Sequence, residues 1–211
     1  MADDTVTVRP FLMTTSDGLR LEAEAAVPDQ PRAAVLLAHP HPLHGGSMRS
    51  LVTSELFRTL PGHGLAVVRF NFRGVGQSEG THGAGVDERL DVTAGLDALV
   101  ERAPGVPLLI AGWSFGADVA LTVVDERLAG WFLVAPPIRV VRLDTMAAAH
   151  DPRPKRLAVP EHDEFRPPES ATEVTADWVN TRIDVVAGAD HFCAGRTDKV
   201  ATLLLDFVAE L

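Results

Sequence analysis

Gly112-Trp113-Ser114-Phe115-Gly116 sets a serine between two glycines, directly after the apolar run VPLLIA and directly before a helix-like stretch. A serine hydroxyl is a poor nucleophile at neutral pH, and this context is one that lets it act. Glycines on either side allow strand and helix to approach closely around a sharp turn, leaving the hydroxyl clear of the sheet at the positive end of a helix. A lone G-x-S-x-G also arises by chance, so the partners decide its meaning. Such a serine needs an adjacent base that is itself oriented by an acid. His191 follows the last strand-like run, RIDVVAGAD, where an imidazole can reach back to Ser114. The acid is expected on the exit of the preceding run, KRLAVP, which continues EHDEFRPP and offers Glu161, Asp163 and Glu164. Asp163 stands three or four residues past the strand and is the first choice. Glu161 is the reserve and Glu164 a solvated charge, while Asp190 would point away from its sequence neighbour His191.

Attack on a carbonyl also needs two main-chain N–H donors for the oxyanion, one after the nucleophile and one from the loop after an early strand. Phe115 supplies the first. AHPHPLHGG, residues 38 to 46, supplies the loop: Pro40 and Pro42 stiffen it, and Gly45 and Gly46 let it pass close to a substrate. The second donor is expected to be the amide of Leu43, with His41 as the alternative. His39, His41 and His44 raise a metal site as the rival reading. They lack helical spacing and an accompanying Cys or carboxylate cluster, so no metal is expected. His39 is expected buried and hydrogen-bonded under the site. His44, Met48, Trp113, Phe165 and Phe192 are expected to wall a pocket, each being equally consistent with plain core or surface. Arg166 is expected to be a solvated arginine, with attraction of a substrate carboxylate as the second reading. NFRGVGQSEG, residues 71 to 80, lacks the G-K-[ST] ending and third glycine of nucleotide loops. Arg73 is expected to anchor it through hydrogen bonds.

The elements that must position these residues follow from patterning. VTVRPFLMTT and LRLEAEAAVP, joined by SDG, alternate as an antiparallel hairpin does. AAVLLAHP, GLAVVRFNF, VPLLIAGW, GWFLVAP, KRLAVP and RIDVVAG are short apolar runs that read as strands buried on both faces. Helix-like segments separate them: SMRSLVTSELFRTLP, DERLDVTAGLDALVERA, SFGADVALTVVDERLA, PPESATEVTADWVN and TDKVATLLLDFVAEL. The alternation predicts a mainly parallel, doubly wound sheet forming one domain over residues 1–211, with ligands at the carboxyl ends of the strands. Pro136 to about Pro154 has room for a short helix but not for a cap domain.

Composition narrows the partners. A formal charge of −10 argues against nucleic acid and anionic membrane surfaces. The apolar runs are of strand length, too short to span a bilayer. One cysteine, Cys193, excludes an internal disulfide and, with no secretory leader in MADDTVTVRPF, points to the cytoplasm. A homodimer through the hairpin edge or the last helix stays open.

HPHPLHGG, NFRGVGQSEG, GWSFGA and ADHF together resemble the α/β-hydrolase superfamily across nearly the whole chain, and within it the small cap-less hydrolases related to dienelactone hydrolases. The resemblance implies an eight-stranded sheet and a Ser-Asp-His triad at Ser114, Asp163 and His191. It also implies esterase-like or thioesterase-like activity with no metal or organic cofactor. PEHDEF departs from the family in lacking a glycine shortly before the aspartate, and Ser114 stands where dienelactone hydrolases proper carry cysteine. The expected substrate is a small ester or thioester. An acyltransferase or lactone-forming enzyme with the same triad, and a non-catalytic binding protein on the same fold, are the alternatives.

Overall fold

AAVLLA and LAVVRF contain no polar residue except Arg69, and both form strands with every position buried: β3 (Ala33–Ala38) and β4 (Leu65–Phe70). Each fully buried Val or Leu stabilises by roughly 1.5–3 kcal/mol. The computed structural model describes residues 6–211; Met1 to Thr5, on which the leader reading partly rests, lie outside them. Eight strands form one sheet in the order β1-β2-β4-β3-β5-β6-β7-β8. The alternating N-terminal runs are β1 (Val8–Thr14) and β2 (Arg20–Ala26), an antiparallel hairpin that joins β4 antiparallel. From β4 onward the pairing is parallel, through β5 (Leu108–Trp113), β6 (Leu128–Val134), β7 (Lys155–His162) and β8 (Thr181–Asp190).

Helices cover both faces. α1 (Leu51–Thr59) and α5 (Thr197–Ala209) pack Val52, Leu56, Val200 and Leu204 against one, in a core with Val35, Leu37 and Trp113. α2 (Glu88–Arg102), α3 (Phe115–Ala120) and α4 (Pro168–Val174) pack Val92, Leu96, Phe115 and Ala171 against the other. The segment from Pro136 to Pro154 carries two single turns of 3-10 helix, Leu143–Thr145 and Ala147–His150.

Two expectations need correction. SFGADVALTVVDERLA is helical only to Ala120. β-branched Val123 and Val124 disfavour continuation, Asp125 turns back to accept the Arg127 N–H at 2.9 Å, and β6 begins at Leu128. RIDVVAG is a strand, but not one buried on both faces. β8 ends the sheet, and Val185 is half exposed.

Candidate active site

Ser114 sits at the tight turn between β5 and α3 with φ 55° and ψ −116°, a conformation unfavourable for a residue with a side chain and costing roughly 1–3 kcal/mol. Its N–H donates to Val134 O on β6, tying the turn to the neighbouring strand. The flanking glycines are forced by space. A Cβ on Gly112 would fall 2.4 Å from Gly116 O, and one on Gly116 would fall 2.4 Å from Ala38 O.

His191 Nε2 lies 2.9 Å from Ser114 Oγ, and His191 Nδ1 lies 2.9 Å from Asp163 Oδ2. Both the imidazole and the carboxylate are buried. The other Asp163 oxygen, Oδ1, accepts the N–H groups of Phe165 and Arg166 at 2.8 and 3.1 Å, so the carboxylate is held at both ends. The competing carboxylates are occupied elsewhere: Glu161 accepts the Gly188 N–H and Asp190 the Phe192 N–H.

The loop after β3 passes over the start of α3. His39 is fully buried, and its Nε2 accepts the Phe72 N–H at 3.0 Å. That bond fixes the tautomer: Nδ1 carries the proton and donates to Pro40 O at 2.6 Å. Burial pushes the imidazole down to about 4, so it is neutral. Leu43 departs from expectation. His41 caps the 3-10 turn Pro42–His44, and its Nδ1 accepts the Leu43 N–H at 3.2 Å, which takes that amide away from the site. The His41 N–H has no acceptor among the described residues, nor has that of Phe115. The two residues touch, their ring centres 4.9 Å apart. Of the amides expected as donors, those of His41 and Phe115 are left without an acceptor among the described residues.

A family model described as serine aminopeptidase, S33, matches residues 29–202. The chain belongs to this family of α/β serine hydrolases. An α/β serine hydrolase homologue from Coxiella burnetii is 32% identical, covers 94% of this chain and 96% of its own, and superposes with a TM-score of 0.83. A lidless α/β serine hydrolase from Xanthomonas campestris, 23% identical over 96% of this chain and 94% of its own, has a TM-score of 0.84 and is similar in fold. Among curated relatives, an uncharacterized protein of Rickettsia prowazekii is 32% identical over 88% of this chain and 82% of its own length. Human monoglyceride lipase is 31% identical over half of this chain and 35% of its own.

Around the hydrolase's central serine, the expected pocket residues divide. Phe165 and Phe192 flank His191, with ring centres 4.4 and 5.7 Å from that of the imidazole, and both expose apolar surface. His44 is exposed beside the ring of His41 at 4.7 Å. Met48 is not on the surface of any opening: it is fully buried, and its N–H donates to Asn71 Oδ1. Trp113 is likewise core, its ring packed on the α1/α5 side of the sheet and its Nε1–H donating to His191 O at 3.2 Å.

Arg166 is half-buried and bound to the protein rather than free in solvent. Its guanidinium donates to Pro137 O and Ser170 Oγ. Arg73 anchors its loop as expected, donating to Asp91 Oδ1 through Nε and Nη2 while its main-chain N–H meets Oδ2. Asp118 has no sequence signal beyond following the serine by one helical turn. It is fully buried on α3 and accepts the N–H groups of Ile138, Arg139 and Val140 at 2.9, 2.9 and 2.8 Å. Burial nonetheless pushes its carboxyl up to about 6. Among the described residues, no three His, Cys, Asp or Glu side chains are disposed to share a metal ion. No helix among them is long and apolar enough to cross a membrane.

Proposed function

We propose that this hydrolase cleaves small esters or thioesters through an acyl-enzyme on Ser114. The observation that carries the reading is the continuous chain from Ser114 Oγ to His191 Nε2 and from His191 Nδ1 to Asp163 Oδ2, each link 2.9 Å. His191 removes the proton as Ser114 Oγ bonds to the substrate carbonyl carbon, and Asp163 stabilises the imidazolium that forms. The tetrahedral oxyanion is held by the His41 and Phe115 amides, a donor pair of the kind worth on the order of 10²–10³ in rate per donor. Collapse expels the alcohol or thiol, which takes the proton from His191. Water, deprotonated by the same imidazole, then attacks the acyl carbon and frees Ser114 and the acid. Esters are favoured over peptides by the relative named a monoglyceride lipase and by the apolar, solvent-open rim that Phe165 and Phe192 form at the base.

The test pairs a fluorophosphonate probe with p-nitrophenyl esters, acyl thioesters and aminoacyl p-nitroanilides, using Ser114→Ala as control. Labelling of the wild type but not the variant, with turnover of esters or thioesters above anilides, is the expected result. Equal labelling of both proteins overturns the serine reading, and turnover of the anilides alone overturns the ester reading. A product formed on an added alcohol in preference to water assigns acyl transfer instead.

A further inference from the structure

Arg139 lies in the loop after β6, on the carboxyl edge of the sheet that also carries Ser114. Its main chain is clamped from two sides. The buried Asp118 carboxylate takes three successive N–H groups, at 138, 139 and 140, and Arg166 Nε donates to Pro137 O at 3.0 Å. Ile138 is held at φ 49°, a strained angle for a β-branched residue. A buried carboxylate and a strained residue are a costly way to hold a surface connection. The clamp fixes where Arg139 projects.

The Arg139 side chain is exposed, and its guanidinium carbon lies 5.4 Å from the centre of the Phe165 ring. That ring centre is 4.4 Å from the His191 ring, so the cation lies within about 10 Å of the base. Most arginines of this acidic chain carry a carboxylate partner, including Arg20, Arg58, Arg73, Arg127 and Arg153. Among the described residues Arg139 has none within ion-pair distance. The surface beside His191 thus presents apolar area from Phe165 and Phe192 together with the unpaired Arg139 cation on its clamped main chain.

We infer that Arg139 is a specificity residue that binds the carboxylate of an ester carrying one, while Phe165 and Phe192 cover the short apolar spacer between carboxylate and ester. This rests on the reaction proposed above. A guanidinium recognises a carboxylate through paired, charge-assisted hydrogen bonds, and in a chain of net charge −10 a local cation offsets the repulsion such a substrate meets. The carboxylate can belong to the acyl half or to the alcohol half.

The experiment measures kcat/KM at low ionic strength for two acids, each against its own neutral methyl ester. p-Nitrophenyl hydrogen glutarate carries the carboxylate on the acyl half, and 4-(butyryloxy)benzoate carries it on the alcohol half. The expected result is a preference of about tenfold or more for at least one acid over its methyl ester, expressed in KM and weakened by salt. That preference falls to near one in Arg139→Gln and below one in Arg139→Glu. Lack of preference in the wild type, or its survival in Arg139→Gln, overturns the inference. If no ester is cleaved at all, the hydrolase reading fails separately. The inference is then decided by calorimetry of monomethyl and dimethyl glutarate on Ser114→Ala, with and without Arg139→Gln. Tighter binding of the monomethyl ester, lost with Arg139, supports it, and equal binding of the two esters overturns it.

Discussion

The indole N–H of Trp113 donates to the main-chain oxygen of His191 at 3.2 Å, across the core from the residue before Ser114 to the imidazole-bearing residue that meets it. The bond couples the end of β5 to the loop that follows β8, and under the proposed reaction it makes Trp113 a positioning residue. Trp113→Phe keeps most of the packing and removes the bond. It is expected to lower kcat about tenfold with KM nearly unchanged, because small misplacements of a base are expensive. The accompanying loss of stability in urea unfolding is about 1 kcal/mol. An unaltered kcat would reduce the tryptophan to packing.

Asp163→Asn tests the acid. The amide oxygen can still accept the Phe165 and Arg166 N–H groups that Oδ1 now holds, so the loop keeps its shape. Its NH₂, however, faces His191 Nδ1 and selects the wrong tautomer. The expected loss in kcat is roughly 10³–10⁴-fold at unchanged folding, by analogy with the same change in other triads. Glu161→Gln, whose carboxylate serves the Gly188 N–H, stays within a few-fold of wild type. Comparable losses from the two changes, read by steady-state kinetics, would reassign the acid.

Gly116→Ala tests the close approach of α3 to the loop that follows β3. The added methyl meets Ala38 O at 2.4 Å and His39 O at 2.6 Å, both backbone atoms that cannot swing aside. Destabilisation of about 1–3 kcal/mol or more is expected in thermal unfolding, with slowed fluorophosphonate labelling of Ser114. Gly62→Ala meets no atom within 4 Å and serves as the near-neutral control.

His39 makes stability depend on pH. Burial holds its folded-state value at about 4, against 6.5 for the free side chain, so the unfolded chain binds the extra proton between those values. The stabilisation is complete above pH 6.5 and is lost as pH falls towards 4. His39→Gln removes this dependence. The stability advantage of wild type over the variant should therefore shrink by about 3 kcal/mol between pH 7 and pH 4 in urea titrations. A constant difference would mean that the imidazole titrates normally when folded.

The sequence by itself determined the architecture and which three side chains, Ser114, Asp163 and His191, come within hydrogen-bond distance at the strand ends. The reason is locality. The unbroken apolar runs AAVLLA and VPLLIA, the glycines beside Ser114 and the placement of Asp163 and His191 just past strand ends are all short-range patterns. The tertiary structure decided what depends on direction and on distant partners. Whether the Leu43 or the His41 amide is free follows from the capping of one 3-10 turn, which residue types alone do not reveal. That β8 lies at the sheet edge follows from strand order, not from the apolarity of RIDVVAG. Met48 and Trp113 were drawn into the core, and Arg166 was committed to Pro137 O and Ser170 Oγ. Asp118 acquired its role only when β6 brought residues 138–140 against α3. A buried polar group must find its partner wherever the fold places one, and chain distance carries no information about that.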